Sequence, residues 1–427
     1  MSIALSTALQ RPTTEGKRPL QPLDIIFLAI TLIVPMELIM QVAFGFSMAF
    51  GRFIAPVFIV AYLTLRPTHA AFRFPPGFWL IAPYFVVAFC HIAVQGEWFG
   101  IYNFRTYALN AVLCVAAYNY ALSNRPSPRS VLFAAYLGVT FFALWTIASG
   151  QTAGLGRNRL TVFDMDENGL GSTYGLAVVI AAVLASRPDV RFATKVLILV
   201  GALPCAALLL ATGSRGALLS TILGVFAQTL HLAIFQRRRG VLVGLLTIGT
   251  IVWAGKYMYD QTDAMKRRVE STVLTTSSNQ DRFSARDLLI YGAIELIRES
   301  PFVGWGEKAG WDQLAQLALR GSRDHAGTHN TFLLLVLTSG VIAGGAVIWW
   351  MLQPMMPHAR LLANVDYANL YVVMVFLYGT FLSLDRLSDR QWWWFFPLFL
   401  AQTSIAAATV RHVPLHRRPS GLSAPHS

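Results

Sequence analysis

Charge is what this chain has least of. Only 13% of its 427 residues are Asp, Glu, Lys or Arg, against 55% hydrophobic, and the mean hydropathy is +0.52. A soluble domain of this length carries far more polar surface, so the balance excludes one and indicates an integral membrane protein. Cysteine is nearly absent too: Cys90, Cys114 and Cys205 all fall in apolar runs, which excludes a disulfide framework and leaves the redox compartment unread. The sequence has no G-x-x-x-x-G-K-[ST] loop, no dinucleotide fingerprint and no His/Cys metal cluster. Chemistry driven by ATP through a recognised motif is therefore not expected, nor is a cofactor or a metal. Acidic residues number 21 against 34 basic ones, a net charge of +13. Membrane topology accounts for part of that excess, so nucleic acid is not an expected partner.

Long apolar runs, by contrast, are plentiful. A spanning helix needs about 20 mostly apolar residues, because backbone polar groups must bond internally in lipid. Twelve runs qualify, centred near Ile33, Val57, Phe85, Val112, Gly138, Val178, Val200, Val225, Ile248, Val336, Met374 and Leu400. The expected fold is an all-α integral membrane protein of about twelve transmembrane helices. Its first run is a full-length span without an A-x-A site, so no cleavable signal peptide is expected. With both termini cytoplasmic, 17 Lys and Arg fall on the inner side and 7 in short outer segments, leaving 10 in or beside one long outer loop. That asymmetry favours this orientation. It divides the chain into a cytoplasmic tail (1–22), nine spans (23–257), an outer loop (258–328), three spans (329–408) and a second cytoplasmic tail (409–427).

A loop as long as 258–328 usually carries function. In "SARDLLIYGAIELIRESP", Ser284 and Asp287 have capping-box spacing, Leu289, Ala293 and Leu296 repeat with helical period beside Ile290, Ile294 and Ile297, and Pro301 ends the run. A second helix is expected in "GWDQLAQLALRG", with Trp311, Leu314, Ala315 and Ala318 on one face. Both are read as lying over the outer membrane surface. The tryptophans of "WWWFF" (392–396) read as an interfacial belt.

Arginines on the outer side are not required by topology. Arg52, Arg105, Arg157 and Arg159 have possible acidic partners in Glu37, Asp164, Asp166 and Glu167, and structural pairing competes with a substrate role for each. Arg215 stands apart in "TGSRG", between the seventh and eighth spans. Ser214 is placed to cap the eighth helix, and Gly213 and Gly216 are small enough to let backbone approach a ligand. A helix N-terminus with an adjacent guanidinium suits a phosphate group. On the tenth span Thr328 is read as the cap, with His329 and Asn330 in the first helical turn at the aqueous boundary. A histidine there is either a proton acceptor or an interfacial residue bonded to a loop. His325 is a rival farther out in the loop. The "DMD" at 164–166 has D-x-D metal spacing, but neighbouring arginines favour charge pairing.

In chain order, "TGSRGALL", then "SARDLLIYGAIELIRESPFVGWG", then "HNTFLLLVLTSGVIAG" resembles the O-antigen ligase and polysaccharide polymerase superfamily of bacterial envelopes. That pattern has an arginine ahead of an amphipathic helix, a proline, a G-x-G and a His-Asn opening a helix. Here these are Arg286, Pro301, Gly304 with Gly306, and His329 with Asn330. "ENGLG" is similar to a further family segment through Asn168 and Gly171. The aromatic often found four residues after the loop arginine is Ile290 here, with Tyr291 next to it, and Arg282 competes with Arg286 by spacing.

The resemblance implies a multi-pass protein of the bacterial inner membrane with a periplasmic active site. Its expected partners are membrane lipids, a glycan donor on undecaprenyl diphosphate, and a lipid A-core or glycan acceptor. His329 is then the general base, and Arg215 and Arg286 the diphosphate clamp. Ser214, Asn330, Arg282 and Arg105 are the further substrate-binding candidates. A ligase is favoured because His-Asn lies at the membrane edge, where a lipid-anchored acceptor sits. The alternatives are a polymerase of the same superfamily and, from another class, a lipid or solute transporter.

Overall fold

The structure is a computed structural model describing residues 20–36, 51–65, 72–96, 98–123, 127–149, 167–235, 249, 256, 285–319, 328–356, 359–384 and 390–411. All regular elements among them are helical. The first five are α1 (Pro22–Ile33), α2 (Gly51–Leu65), α3 (Ala82–Gln95, preceded by a 3₁₀ turn), α4 (Trp98–Leu122) and α5 (Pro128–Ala148). Next come α6 (Glu167–Ser186), α7 (Phe192–Ala211), α8 (Arg215–Phe235), α9 (Ala285–Glu299) and α10 (Glu307–Leu319). The last are α11 (Thr331–Leu352), α12 (Ala359–Leu362), α13 (Val365–Phe381) and α14 (Arg390–Arg411). Among the described residues, six segments are long and apolar enough to cross a membrane, within Phe78–Gln95, Pro128–Ala148, Glu167–Ser186, Phe192–Ala211, Arg215–Phe235 and Thr331–Met355. The expected span around Ile248 lies outside the described residues.

Burial separates a central helix from a lipid-facing one. In α6 the spanning window is 94% buried, whereas in the segment ending with α3 it is 11%. An apolar helix that buries so little of itself in protein is solvated by lipid tails. Between helices in lipid the hydrophobic effect gives little drive, so close van der Waals packing through small residues does the joining. The α6–α8–α13 seam is built this way. Gly171 and Gly175, one turn apart on α6, lie where a Cβ would come within 2.9 Å of Ala217 Cβ and 2.3 Å of Thr221 Oγ1 on α8. Farther along, a Cβ on Gly224 would meet Val179 of α6 at 2.9 Å and Phe376 of α13 at 3.1 Å.

The "WWWFF" tryptophans are not an interfacial belt. Trp392, Trp393 and Trp394 are buried, as are Phe395 and Phe396. Trp392 stacks on Phe396 at 4.4 Å, and Trp394 donates from Nε1 to Thr31 Oγ1 at 3.0 Å while packing on Phe27 at 4.6 Å. With α1 supplying a hydroxyl acceptor inside the bundle, an indole N–H needs no water at the membrane edge.

The tenth expected span is broken. Gly340, at φ 76° and ψ 171°, interrupts α11, and this left-handed backbone favours glycine. At a rise of about 1.5 Å per residue the break lies about 14 Å from the start of α11, inside the apolar segment Thr331–Met355. The freed backbone groups are paired by residues 301–306, part of the loop expected to lie outside. Trp305 N donates to Leu337 O at 3.0 Å, Gly306 N to Thr338 O at 3.0 Å, and Val341 N to Pro301 O at 2.7 Å. Glycine is needed on the loop as well: a Cβ on Gly304 would lie 2.6 Å from the backbone of Thr338, Ser339 and Gly340.

At the opposite end of the bundle, Arg187 bonds Asp189 at 2.9 Å and Asp366 at 2.8 Å, and Arg129 reaches Asp189 at 3.0 Å. The start of α5, the α6–α7 turn and the start of α13 are thereby tied together. The Arg187 hydrogen bond holds the Asp189 carboxyl below its ordinary value. A lowered carboxylate contributes stability above the usual pKa of about 3.9, and loses it as pH falls through the lowered value. In acid titration of thermal stability, Asp189→Asn is expected to flatten the limb below about pH 4, and an unchanged limb contradicts this tie.

Gly175→Leu, which drives a side chain into Thr221, is expected to destabilise the detergent-solubilised protein by at least about 1–3 kcal/mol. Gly345→Ala, with nothing within 4 Å, leaves the thermal transition unchanged or higher. Equal transitions for the two variants would show that the seam is not tightly packed.

Candidate functional site

The starts of α6, α8 and α11 and the ends of α7 and α13 lie at the end of the bundle opposite the Arg187 network. The α7–α8 turn carries two of these. Gly213 takes φ 60°, and Ser214 Oγ accepts from Ala217 N at 3.3 Å, which makes it the expected cap of α8. The same hydroxyl donates to Asn168 Oδ1 at 2.8 Å, fastening the start of α6 to the turn. Arg215, the first residue of α8, is exposed. Gly216 has a different part from the one its size suggested: a Cβ there would lie 2.5 Å from Ser383 Cβ, so the close approach it permits is to the end of α13 and not to a ligand.

The start of α11 is fastened to the next residue along. Thr331 Oγ1 donates to Leu384 O at 2.7 Å, and Thr331 is fully buried. Ser383 and Leu384 are therefore a common anchor for the turn that carries Arg215 and the turn that carries His329. The cap of α11 differs from expectation. Asn330, not Thr328, is the N-cap, its Oδ1 accepting from Phe332 N at 3.0 Å and Leu333 N at 3.1 Å. His329 thus precedes the helix and is not in its first turn. It is the one non-glycine residue at positive φ (51°) among the described residues. Thr328 Oγ1 donates to Asn330 O at 2.8 Å and accepts from Asn330 N at 3.2 Å, bracing this turn from behind. Left-handed backbone at a non-glycine residue costs on the order of 1–3 kcal/mol and concentrates at functional sites. Capping by Asn330 and bracing by Thr328 fix the backbone on either side of His329.

Helix α9 packs across α11. Leu289, Ala293 and Leu296 of α9 bury against Leu314 and Ala315 of α10 and Leu337 of α11, the expected stripe, while Ile290 and Ile294 remain exposed. Position 286 precedes Leu289 by one helical turn, so α9 brings Arg286 to the same helix assembly as His329; its side chain lies outside the described residues. Arg282, Arg157, Arg159, Asp164, Asp166, Glu37, Ser284, His325 and the Arg52 side chain also lie outside them. Arg105 is exposed on α4 and belongs to a different grouping, flanked by Phe104 and Tyr107 of a cleft.

That cleft, which the sequence reading missed, lies open between α3, α4, α10 and the break in α11. His91, Gln95, Glu307, Lys308, Thr338 and Ser339 are among its polar lining, and Tyr107 donates to Glu307 Oε1 at 3.2 Å. The signal that marks it is "PFVGWG", a proline and two glycines between two amphipathic runs.

Replacing Asn330 by Ala removes two N–H partners and is expected to destabilise by about 0.5–2 kcal/mol, whereas Asn330→Asp retains most of the cap. Thermal unfolding in detergent distinguishes them, and an Ala variant as stable as the parent contradicts the capping role.

Residues 196–348 match the O-antigen ligase family. No curated protein matches the chain significantly.

Proposed function

We propose that this chain, whose residues 196–348 match the O-antigen ligase family, is a periplasmic glycosyltransferase of the bacterial inner membrane. It moves a glycan from undecaprenyl diphosphate to a lipid A-core hydroxyl. The supporting observation is the common anchor: Gly216 seats on Ser383 and Thr331 bonds Leu384, so Arg215 and His329 start from neighbouring points of one rim.

The chemistry follows from the leaving group. A diphosphate already departs readily, so the protein's work is to orient two lipid-borne substrates, take up one proton and stabilise one growing negative charge. His329 accepts the proton of the acceptor hydroxyl as its oxygen attacks the anomeric carbon. The bond from that carbon to the diphosphate oxygen breaks on the opposite face, inverting the centre. Arg215, at the positive end of α8, and Arg286 receive the charge on the departing diphosphate as bidentate donors. Asn168 and Ser214 hold the turn that aims Arg215. No step requires a nucleotide.

His329→Ala is expected to lower transfer by about 10²–10⁴ with purified protein and lipid-linked donor. A loss within threefold of the parent would refute the base assignment. Arg215→Ala and Arg286→Ala should weaken binding of undecaprenyl diphosphate, and unchanged binding rules out the clamp. In a deletion strain, long-chain glycan missing from lipid A with lipid-linked polymer accumulating indicates a ligase, whereas glycan shortened to single units makes the chain a polymerase.

A further inference from the structure

The inserted loop 301–306 is gripped from two sides. From α11 it is held by the backbone bonds across the break at Gly340. From the other side it is held by α3, where His91 Nε2 bonds Val303 O at 2.9 Å and Gln95 Nε2 donates to Trp305 O at 3.0 Å. A carbonyl only accepts, so His91 carries its hydrogen on Nε2 and leaves Nδ1 to face Gln95 Nε2 at 3.4 Å. The two side chains are one turn apart on the same helix face and brace each other. The loop backbone sits directly on them: a Cβ at Gly306 would lie 3.0 Å from Gln95 Oε1 and 3.1 Å from the His91 ring.

Of the six apolar spans among the described residues, the one carrying these two polar residues has the least protein around it, and its Val86, Phe89 and Val94 are exposed. Polar side chains on such a helix are costly and are retained where they have a task. The loop they grip connects both halves of the proposed site. Through the Trp305 Nε1 bond to Leu296 O at 2.7 Å it holds α9, which carries Arg286. Through Leu337, Thr338 and Val341 it holds the outer half of α11, which begins beside His329.

We infer that His91 and Gln95 are positioning residues for the transfer: by gripping loop 301–306 they set the register of α9 against α11, and so of Arg286 against His329. This rests on the proposed roles of Arg286 and His329. Neither positioning residue touches substrate. Donor affinity is carried in large part by Arg215, whose turn is fixed separately by Asn168, Ser214 and Ser383, so loosening the grip lowers turnover more than binding. Displacing a reacting group by about 1 Å costs up to about 10²-fold in rate.

The test uses full-length protein in lipid nanodiscs with a glycan on undecaprenyl diphosphate as donor. It compares His91→Ala, Gln95→Met and His91→Gln, reading kcat and KM alongside amide hydrogen exchange over 301–306. Gln95→Met removes the donor with an apolar side chain that suits a lipid-facing helix, so the fold is kept. The expected result for His91→Ala and Gln95→Met is a kcat about 10- to 100-fold lower, a KM within about threefold of the parent and faster exchange over 301–306. His91→Gln, whose amide still reaches Val303 O, restores most of the rate. Faster exchange with unchanged kcat would overturn the positioning role, and unchanged exchange would overturn the grip itself. Lack of transfer by the unaltered chain would overturn the functional reading beneath both, a failure distinguished from the others because exchange over 301–306 still responds to the substitutions.

Discussion

A backbone group without a partner in lipid costs several kcal/mol, and the break in α11 creates such groups within an apolar span. The packing of α9, α10 and α11 follows from how they are satisfied. Residues 301–306 enter the span and bond Leu337, Thr338 and Val341, which draws the flanking helices α9 and α10 down onto α11. Gly304 and Gly340 are required because the two backbones pass closer than a Cβ allows. Helices α9 and α10 therefore pack together with Leu337 of α11.

The same end of the bundle concentrates helix polarity. The starts of α6, α8 and α11 face outward together, and each start carries a partial positive charge from its N–H groups. Ser214 and Asn330 satisfy several of those groups from side chains, Asn168 accepts from the Ser214 hydroxyl, and Ser383 and Leu384, just past α13, lie between them. Arg215 and His329 thus sit on short turns tied by these bonds. A transferase acting on two lipid substrates needs such rigidity, because orientation supplies most of what an already good leaving group does not.

Much of this was legible in the residues. Apolar run length gave the membrane class and six of the twelve expected spans among the described residues, and Ser214 was recognisable as a cap because a hydroxyl before a helix has one common use. The Leu289–Ala293–Leu296 stripe was legible from its period, and it is the stripe that packs. What failed were inferences that needed a partner. Asn330 and Thr328 are both good caps by composition, and only the bonds from Phe332 N and Leu333 N to Asn330 Oδ1 show where the helix begins. Gly216 looked like room for a ligand until Ser383 filled the space. "WWWFF" looked interfacial because an aromatic cluster near a span end usually is, yet Thr31 of α1 accepts the indole N–H inside the bundle. The break in α11 was hidden because a glycine in "TSGVIAGG" is unremarkable in a transmembrane helix; "PFVGWG" far earlier in the chain is what gives it meaning.

The central claim is that the departing diphosphate lies at the start of α8 with the sugar between it and His329. Its most direct test is a structure of the protein in lipid with undecaprenyl diphosphate–linked glycan bound. The predicted result is the diphosphate against Ser214 and Arg215, with the His329 ring on the far side of the anomeric carbon. Diphosphate bound elsewhere, whether in the cleft beside Glu307 and Lys308 or at the Arg187 end of the bundle, would contradict it.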